Sequence, residues 1–213
     1  MTAPHPRVLP ASEDPFEWQW ESFDPETTGM PTVVNGTDCY GTVEGSDIGV
    51  QVSFAVLEFN AGSIEFALGL RSTPGVVVTD EDGTVTQVGN PFGEAAWLCS
   101  VAANDTHMLA VGSGVWWSED GVTWHRIYPF PSAGTNTDGS NLMWAAAGPG
   151  GYMVLGRAGV VWFSEDLETW QEIHLPNGYG TSVWGWVGPS DISIEQKEIV
   201  IDMLDEGWIG TRP

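Results

Sequence analysis

Residues 115–127 read VWWSEDGVTWHRI, and residues 161–173 read VWFSEDLETWQEI. Eight of the thirteen positions are identical, at an offset of 46 residues. The likeness continues upstream, where WLCSVAANDTHMLAVGSG (97–114) parallels MWAAAGPGGYMVLGRAG (143–159) with small gaps. The clear repeats thus span about 97–128 and 143–174. A weaker copy, VVVTDEDGTVTQV (76–88), places Asp82-Gly83 where Asp120-Gly121 stand, at an offset of 38. A period of 40–50 residues carrying about four short strands marks propeller blades or a β-array. A fourth unit is expected to open at SVWGWVG (182–188), with Trp184 echoing Trp97 and Trp144. Chain length over period is about 4.6, room for four blades and an N-terminal extension or for five degenerate blades.

The rest of the chain agrees. From about residue 31, short apolar runs such as SIEFALGL, HMLAVG, GYMVLG and GVVWFS alternate with Gly, Asn, Asp and Pro. They are rich in β-branched and aromatic residues and bounded by turn formers, which are strand signals. The expected fold is all-β: a small or partial β-propeller of about four to five four-stranded blades over 31–213. SIEQKEIVIDMLDEG (193–207) has apolar residues that fit either a helix or a strand. Residues 1–30 are Pro-rich and acidic and read as an extended arm. Within it PFEWQWESF sets Phe16, Trp18 and Trp20 on one face, the pattern of a strand.

Each clear copy reads as a hairpin. The strand ending at Trp117 or Phe163 feeds a Ser-Glu-Asp turn, and the next begins at Thr123-Trp124 or Thr169-Trp170. Asp120 and Asp166 stand where a carboxylate accepts N–H groups of its own turn. Gly121 supplies a positive φ if the turn needs one. Trp124 and Trp170 fold back to cover it. Ser118–Trp124 and Ser164–Trp170 resemble the Asp-box, or BNR, repeat of sialidase-type β-propellers, Ser-x-Asp-x-Gly-x-x-Trp. They depart from it in spacing, with Trp six rather than seven residues after Ser, and in having Leu167 where the first copy has Gly121. The shortened form resembles repeats of bacterial and bacteriophage surface proteins. The resemblance implies blades; the box is a folding device shared by many functions.

Composition narrows the function. Asp and Glu number 29 against 6 Lys and Arg, a formal net charge of −23, and Lys197 is the only lysine. Such a surface repels nucleic-acid phosphates and anionic lipid. No run of 18 apolar residues spans a membrane, and the N-terminus has no apolar leader core. Cys39 and Cys99 lie outside any zinc spacing. Buried free thiols are the simpler reading, and a disulfide follows only if the fold joins them.

A sialidase-like enzyme would need clustered arginines, a Tyr–Glu nucleophile and an acid Asp. The five arginines, Arg7, Arg71, Arg126, Arg157 and Arg212, are scattered, and no tyrosine pairs with a Glu by pattern. His107, His125 and His174 share no ligating spacing. Asp80-Glu81-Asp82-Gly83 and Asn136-x-Asp138-Gly139-x-Asn141 gather oxygens but lack the closing Glu of a calcium loop. No cofactor is expected, and no catalytic residue is assigned. Ser118, Asp120, Gly121, Trp124, Ser164, Asp166 and Trp170 are structural. Of the 12 tryptophans, Trp116, Trp184 and Trp186 are the candidate contact surface, because adjacent or alternating positions on strands leave one ring facing outward. The expectation is a non-enzymatic structural or adhesion component of a bacteriophage particle, a minor tail or head-decoration protein localised to the virion. Its partners would be other virion proteins, as an oligomer or part of an assembly, and a host surface glycan. The alternative is a bacterial carbohydrate-binding or sialidase-like glycosidase module.

Overall fold

In Gly62–Leu68, Ile64, Phe66 and Leu68 are buried while Glu65 is exposed, the period of two that a half-buried strand requires. In Met108–Gly112 and Gly151–Gly156 every residue is buried. These runs belong to strands covered on both faces. The structure is a computed structural model of the chain, described over residues 7–9, 15–23, 53–68, 74–94, 96–127, 142–156, 161–175, 191–202 and 207–213. Among the described residues every helix or strand is a strand.

Two N-terminal strands, β1 (Arg7–Leu9) and β2 (Gln19–Phe23), precede the blades. The first blade is the meander β3 (Ser53–Phe59), β4 (Gly62–Leu68), β5 (Gly75–Thr79) and β6 (Val85–Gly89). The second is β7 (Leu98–Ala103), β8 (Met108–Gly112), β9 (Val115–Ser118) and β10 (His125–Ile127). The third is β11 (Leu142–Gly148), β12 (Gly151–Gly156), β13 (Val161–Ser164) and β14 (Thr169–Ile173). The fourth is β15 (Asp191–Ile194), β16 (Glu198–Asp202) and β17 (Gly207–Thr211), completed by β2, which pairs antiparallel with β17. β1 adds to the third blade, parallel to β14. The fold is a small all-β propeller of four-stranded antiparallel blades.

The blades stack through their first strands. β3 and β4 pack on β7, β7 and β8 on β11, and β11 on β15. Among the described residues the buried apolar side chains form three clusters. Phe66, Leu68 and Val76 meet Leu98, Met108 and Trp116 between the first and second blades. Leu109 and Val111 meet Tyr152, Trp162 and Trp170 between the second and third. Met153, Leu155 and Phe163 meet Ile199, Ile201 and Trp208 between the third and fourth. The two middle blades are therefore buried on both faces, which is why β8 and β12 lack polar alternation.

Several sequence expectations are now resolved. The ambiguous C-terminal stretch forms β15 and β16, with Ile199 and Ile201 buried at period two. In the N-terminal arm, Trp18 is buried and meets Phe163 edge-on at 5.3 Å, and Phe16 meets the same ring at 5.0 Å. Residues 7–9 and 19–23 of that arm lie in the third and fourth sheets. Cys99 is buried in β7 and disulfide-bonded, which corrects the free-thiol reading there; Cys39 lies outside the described residues.

Candidate functional site

The two Ser-Glu-Asp turns match atom for atom. At the β9–β10 turn the buried Ser118 Oγ donates to Asp120 Oδ1 (3.0 Å) and accepts from Gly121 N (2.9 Å). Asp120 Oδ1 also accepts from Val122 N (2.8 Å) and Thr123 N (2.7 Å). At the β13–β14 turn Ser164 Oγ donates to Asp166 (3.2 Å) and accepts from Leu167 N (2.9 Å), and Asp166 accepts from Glu168 N (2.9 Å) and Thr169 N (2.8 Å). Trp124 Nε1 donates to Gly121 O (2.8 Å), and Trp170 Nε1 to Leu167 O (3.1 Å). Every side chain named for these turns has a structural partner. The weaker copy keeps part of the device: Asp82 Oδ1 accepts from Thr84 N (2.9 Å), and Gly83 has φ +83°, close to +74° at Gly121.

Burial works against the charge of Asp120, but the N–H groups of Thr123 and Val122 and the Ser118 hydroxyl outweigh it and lower its pKa below the ordinary value. Hydrogen bonds from the Thr84 side chain and backbone lower that of Asp82. Asp82 is thus engaged in its own turn, and Gly83 N donates to Asp80 O (2.9 Å). Asn136–Asn141 lies outside the described residues.

Next to the second blade's turn sits a polar hub that the sequence did not point to. His107 Nδ1 lies 3.0 Å from Tyr152 Oη and 2.9 Å from Thr106 Oγ1, and its Nε2 lies 3.4 Å from Glu119 Oε1. Asn104 Oδ1 accepts from Thr106 N (3.0 Å), His107 N (3.0 Å) and Tyr152 Oη (3.1 Å). Its Nδ2 donates to Gly148 O (3.2 Å). The β7–β8 hairpin is thereby tied to β12 and to the β11–β12 hairpin of the next blade.

A groove of about 1040 Å³ opens beside this hub. Its walls are the β7–β8, β11–β12 and β15–β16 hairpins, with Glu165 of the β13–β14 turn and Arg212 and Pro213 beyond β17. Arg212 is rigidly held. Its Nε donates to Gln196 O (2.6 Å), its Nη1 bonds Glu165 Oε1, and its guanidinium stacks over Trp18 at 4.7 Å. Asp105, Gln196 and Lys197 are exposed along the rim.

The candidate contact residues fare unevenly. Trp116 is 3% exposed, packed edge-on against Phe92 at 5.3 Å with Arg126 over its ring at 5.6 Å. It is a core residue and forms no platform, because the blade interface claims the face it points to. Its neighbour Trp117 is half-buried, tilted against His125 at 4.6 Å. Trp184 and Trp186 lie outside the described residues, as do Arg71 and Arg157. Ser118, Asp120, Gly121, Trp124, Ser164, Asp166 and Trp170 all sit at the two equivalent turns. The hub and the groove were missed for different reasons. His107 and Tyr152 are 45 residues apart, nearly one repeat, so the period could have paired them. Arg212 meets Trp18 because the N- and C-terminal strands share a blade, and Glu165 because the third and fourth blades adjoin; no local pattern announces either.

No protein-family description matches the chain, and no curated protein matches it either. Among solved structures it is similar to selenomethionine-substituted virginiamycin B lyase from Staphylococcus aureus, at 10% identity and TM-score 0.37, over 81% of this chain and 69% of that one. It is also similar to a catalytically inactive form of that lyase with quinupristin, at 11% identity and TM-score 0.39, over 81% and 69%. The expectation that the chain is not an enzyme is corrected on this finding: its structural neighbours include an enzyme. At this identity the likeness assigns no activity to the chain.

Proposed function

We propose that the chain is a structural or adhesion component of a bacteriophage particle, a minor tail or head-decoration protein that works through contacts with other virion proteins. The observation that carries this reading is the outer face of the first blade. Cross-strand pairing aligns Val56, Glu65, Val77 and Gln87 in one row and Glu58, Ser63, Thr79 and Val85 in the next. Val56 is 57% and Val85 59% exposed, whereas the same blade's opposite face is core. A mixed sheet face that leaves two valines more than half exposed beside Glu58 and Glu65 suits a module that is covered by a neighbour in an assembly. The Ser-Glu-Asp turns lend support through the resemblance of their shortened form to repeats of bacterial and bacteriophage surface proteins. So does the lysine-poor, acidic composition.

The test is mass spectrometry of purified particles, with the flanking genes read for portal, tape-measure or tail functions. The chain is expected in the particle at stoichiometric amount. Val56→Lys combined with Val85→Lys is expected to abolish incorporation and leave the isolated fold intact. Absence from every particle would overturn the reading. A second reading, a bacterial carbohydrate-binding module, is favoured by the groove at the hairpin tips, and saturable sugar binding without any particle association would install it instead.

A further inference from the structure

We propose that the groove between the hairpin tips of the second, third and fourth blades binds a neutral, polyhydroxylated ligand, a short stretch of uncharged oligosaccharide, contacted by Asp105, Gln196, Lys197 and Arg212. The proposal rests on the adhesion reading and names its ligand class and its site. At about 1040 Å³ the groove is at the upper end of the roughly 300–1,000 Å³ usual for ligand sites.

The chemistry of the lining selects the ligand. A sugar hydroxyl both donates and accepts, so it needs both kinds of partner within a few ångströms. Asp105 only accepts, Lys197 only donates, and Gln196 does both. Arg212 has five N–H donors, and Glu165 with Gln196 O engages two of its nitrogens. With 17% of its side chain exposed, two nitrogens hydrogen-bonded and its Cζ over the Trp18 ring, the guanidinium is held in place with its remaining donors available. Binding then costs little side-chain ordering. Gly148, Pro149, Gly150 and Gly151 line the groove. A Cβ at Gly148 or Gly150 would overlap the backbone oxygen of Ile194 or Glu195, so glycine there lets the β11–β12 and β15–β16 hairpins lie against each other and holds two walls of the groove in place. Two features argue against an acidic ligand: the net charge of −23, and the carboxylates of Asp105 and Glu165 within the groove.

The experiment is a glycan array carrying neutral and acidic oligosaccharides, followed by calorimetric titration of the strongest neutral binder into the full chain. At least one neutral oligosaccharide is expected to bind saturably. Asp105→Ala combined with Lys197→Ala changes only exposed side chains and is expected to raise Kd by about tenfold or more. Arg212→Lys, which keeps the charge but removes the planar fork, is expected to weaken binding while circular dichroism stays native. Trp117→Ala, outside the groove, is expected to leave Kd unchanged. No binding of any neutral glycan, binding of acidic glycans alone, or neutral binding indifferent to the rim variants would overturn the proposal. A blank array from a chain that still enters particles sinks the groove alone. Groove-dependent binding by a chain found in no particle supports the groove and sinks the virion reading.

Discussion

At the scale of single residues, the two turns solve the same problem with different side chains. Gly121 and Leu167 both hold a left-handed backbone, at φ +74° and +65°. For Leu that conformation costs about 1–2 kcal/mol. The strain is held because Leu167 is 6% exposed and fills the core between the second and third blades. At Gly121 no such space exists, since a Cβ there would lie 2.6 Å from Ile64 Cδ1. Two outcomes follow from this difference. Gly121→Ala should destabilise by roughly 2–4 kcal/mol, adding overpacking to left-handed strain. Leu167→Gly should cost less than an ordinary core leucine truncation of about 2–5 kcal/mol, because relief of strain offsets part of the lost contact. Urea denaturation of both variants checks the ordering. Asp120 predicts a pH dependence. Its pKa is lowered in the folded chain, so its contribution is fully present above the unfolded value near 3.8 and is lost as pH falls through the folded one. Asp120→Ala, expected to cost about 1–3 kcal/mol at neutral pH from unpaired backbone donors, should therefore differ less from wild type as pH falls below about 4. A melting-temperature gap that stays constant across that range would refute the assignment.

At the scale of elements, the hairpins show how one motif meets two environments. Trp170 is fully buried between the second and third blades, and Trp170→Ala should cost about 3–5 kcal/mol. Trp124 is half-buried, tilted on Phe92 at 4.9 Å and edge-on to Phe66 at 5.7 Å. Its truncation should cost clearly less, roughly 1.5–3 kcal/mol. Equal losses for the two in thermal melts would mean that burial is not what separates them. Sequence spacing identified both hairpins as equivalent, and their hydrogen bonds agree atom for atom. It did not rank the two rings, because burial depends on which blade lies across from each. The same limit applies to Trp116 and Trp117. Adjacent positions on β9 guarantee that they face opposite sides, yet only the packed neighbour decides that Trp116 enters the core. Glu198–Asp202 is equally undecided by its pattern, and its pairing with β15 and β17 settles it as a strand.

At the scale of the whole molecule, β2 completes the fourth blade with β17, and Trp18 enters the core shared by the third and fourth blades. Deleting residues 1–23 should therefore expose the β17 edge, remove Trp18 and leave the chain aggregation-prone or less stable, as size-exclusion chromatography and thermal melting would report. A truncated chain that melts like the full one would show that the fourth blade stands without its N-terminal strand. The all-β class, the blade period and the bonding of the Ser-Glu-Asp turns can be read without any tertiary contact. Each of these is local: alternation, turn chemistry and a repeat are written within a dozen consecutive residues. Which faces are buried twice, how β1 and β2 enter distant sheets, and where Arg212 meets Glu165 and Trp18 follow only from the folded chain. Those contacts join residues of different blades, some from opposite ends of the chain, and the free energy that selects them comes from packing blade against blade, which no short stretch of sequence contains.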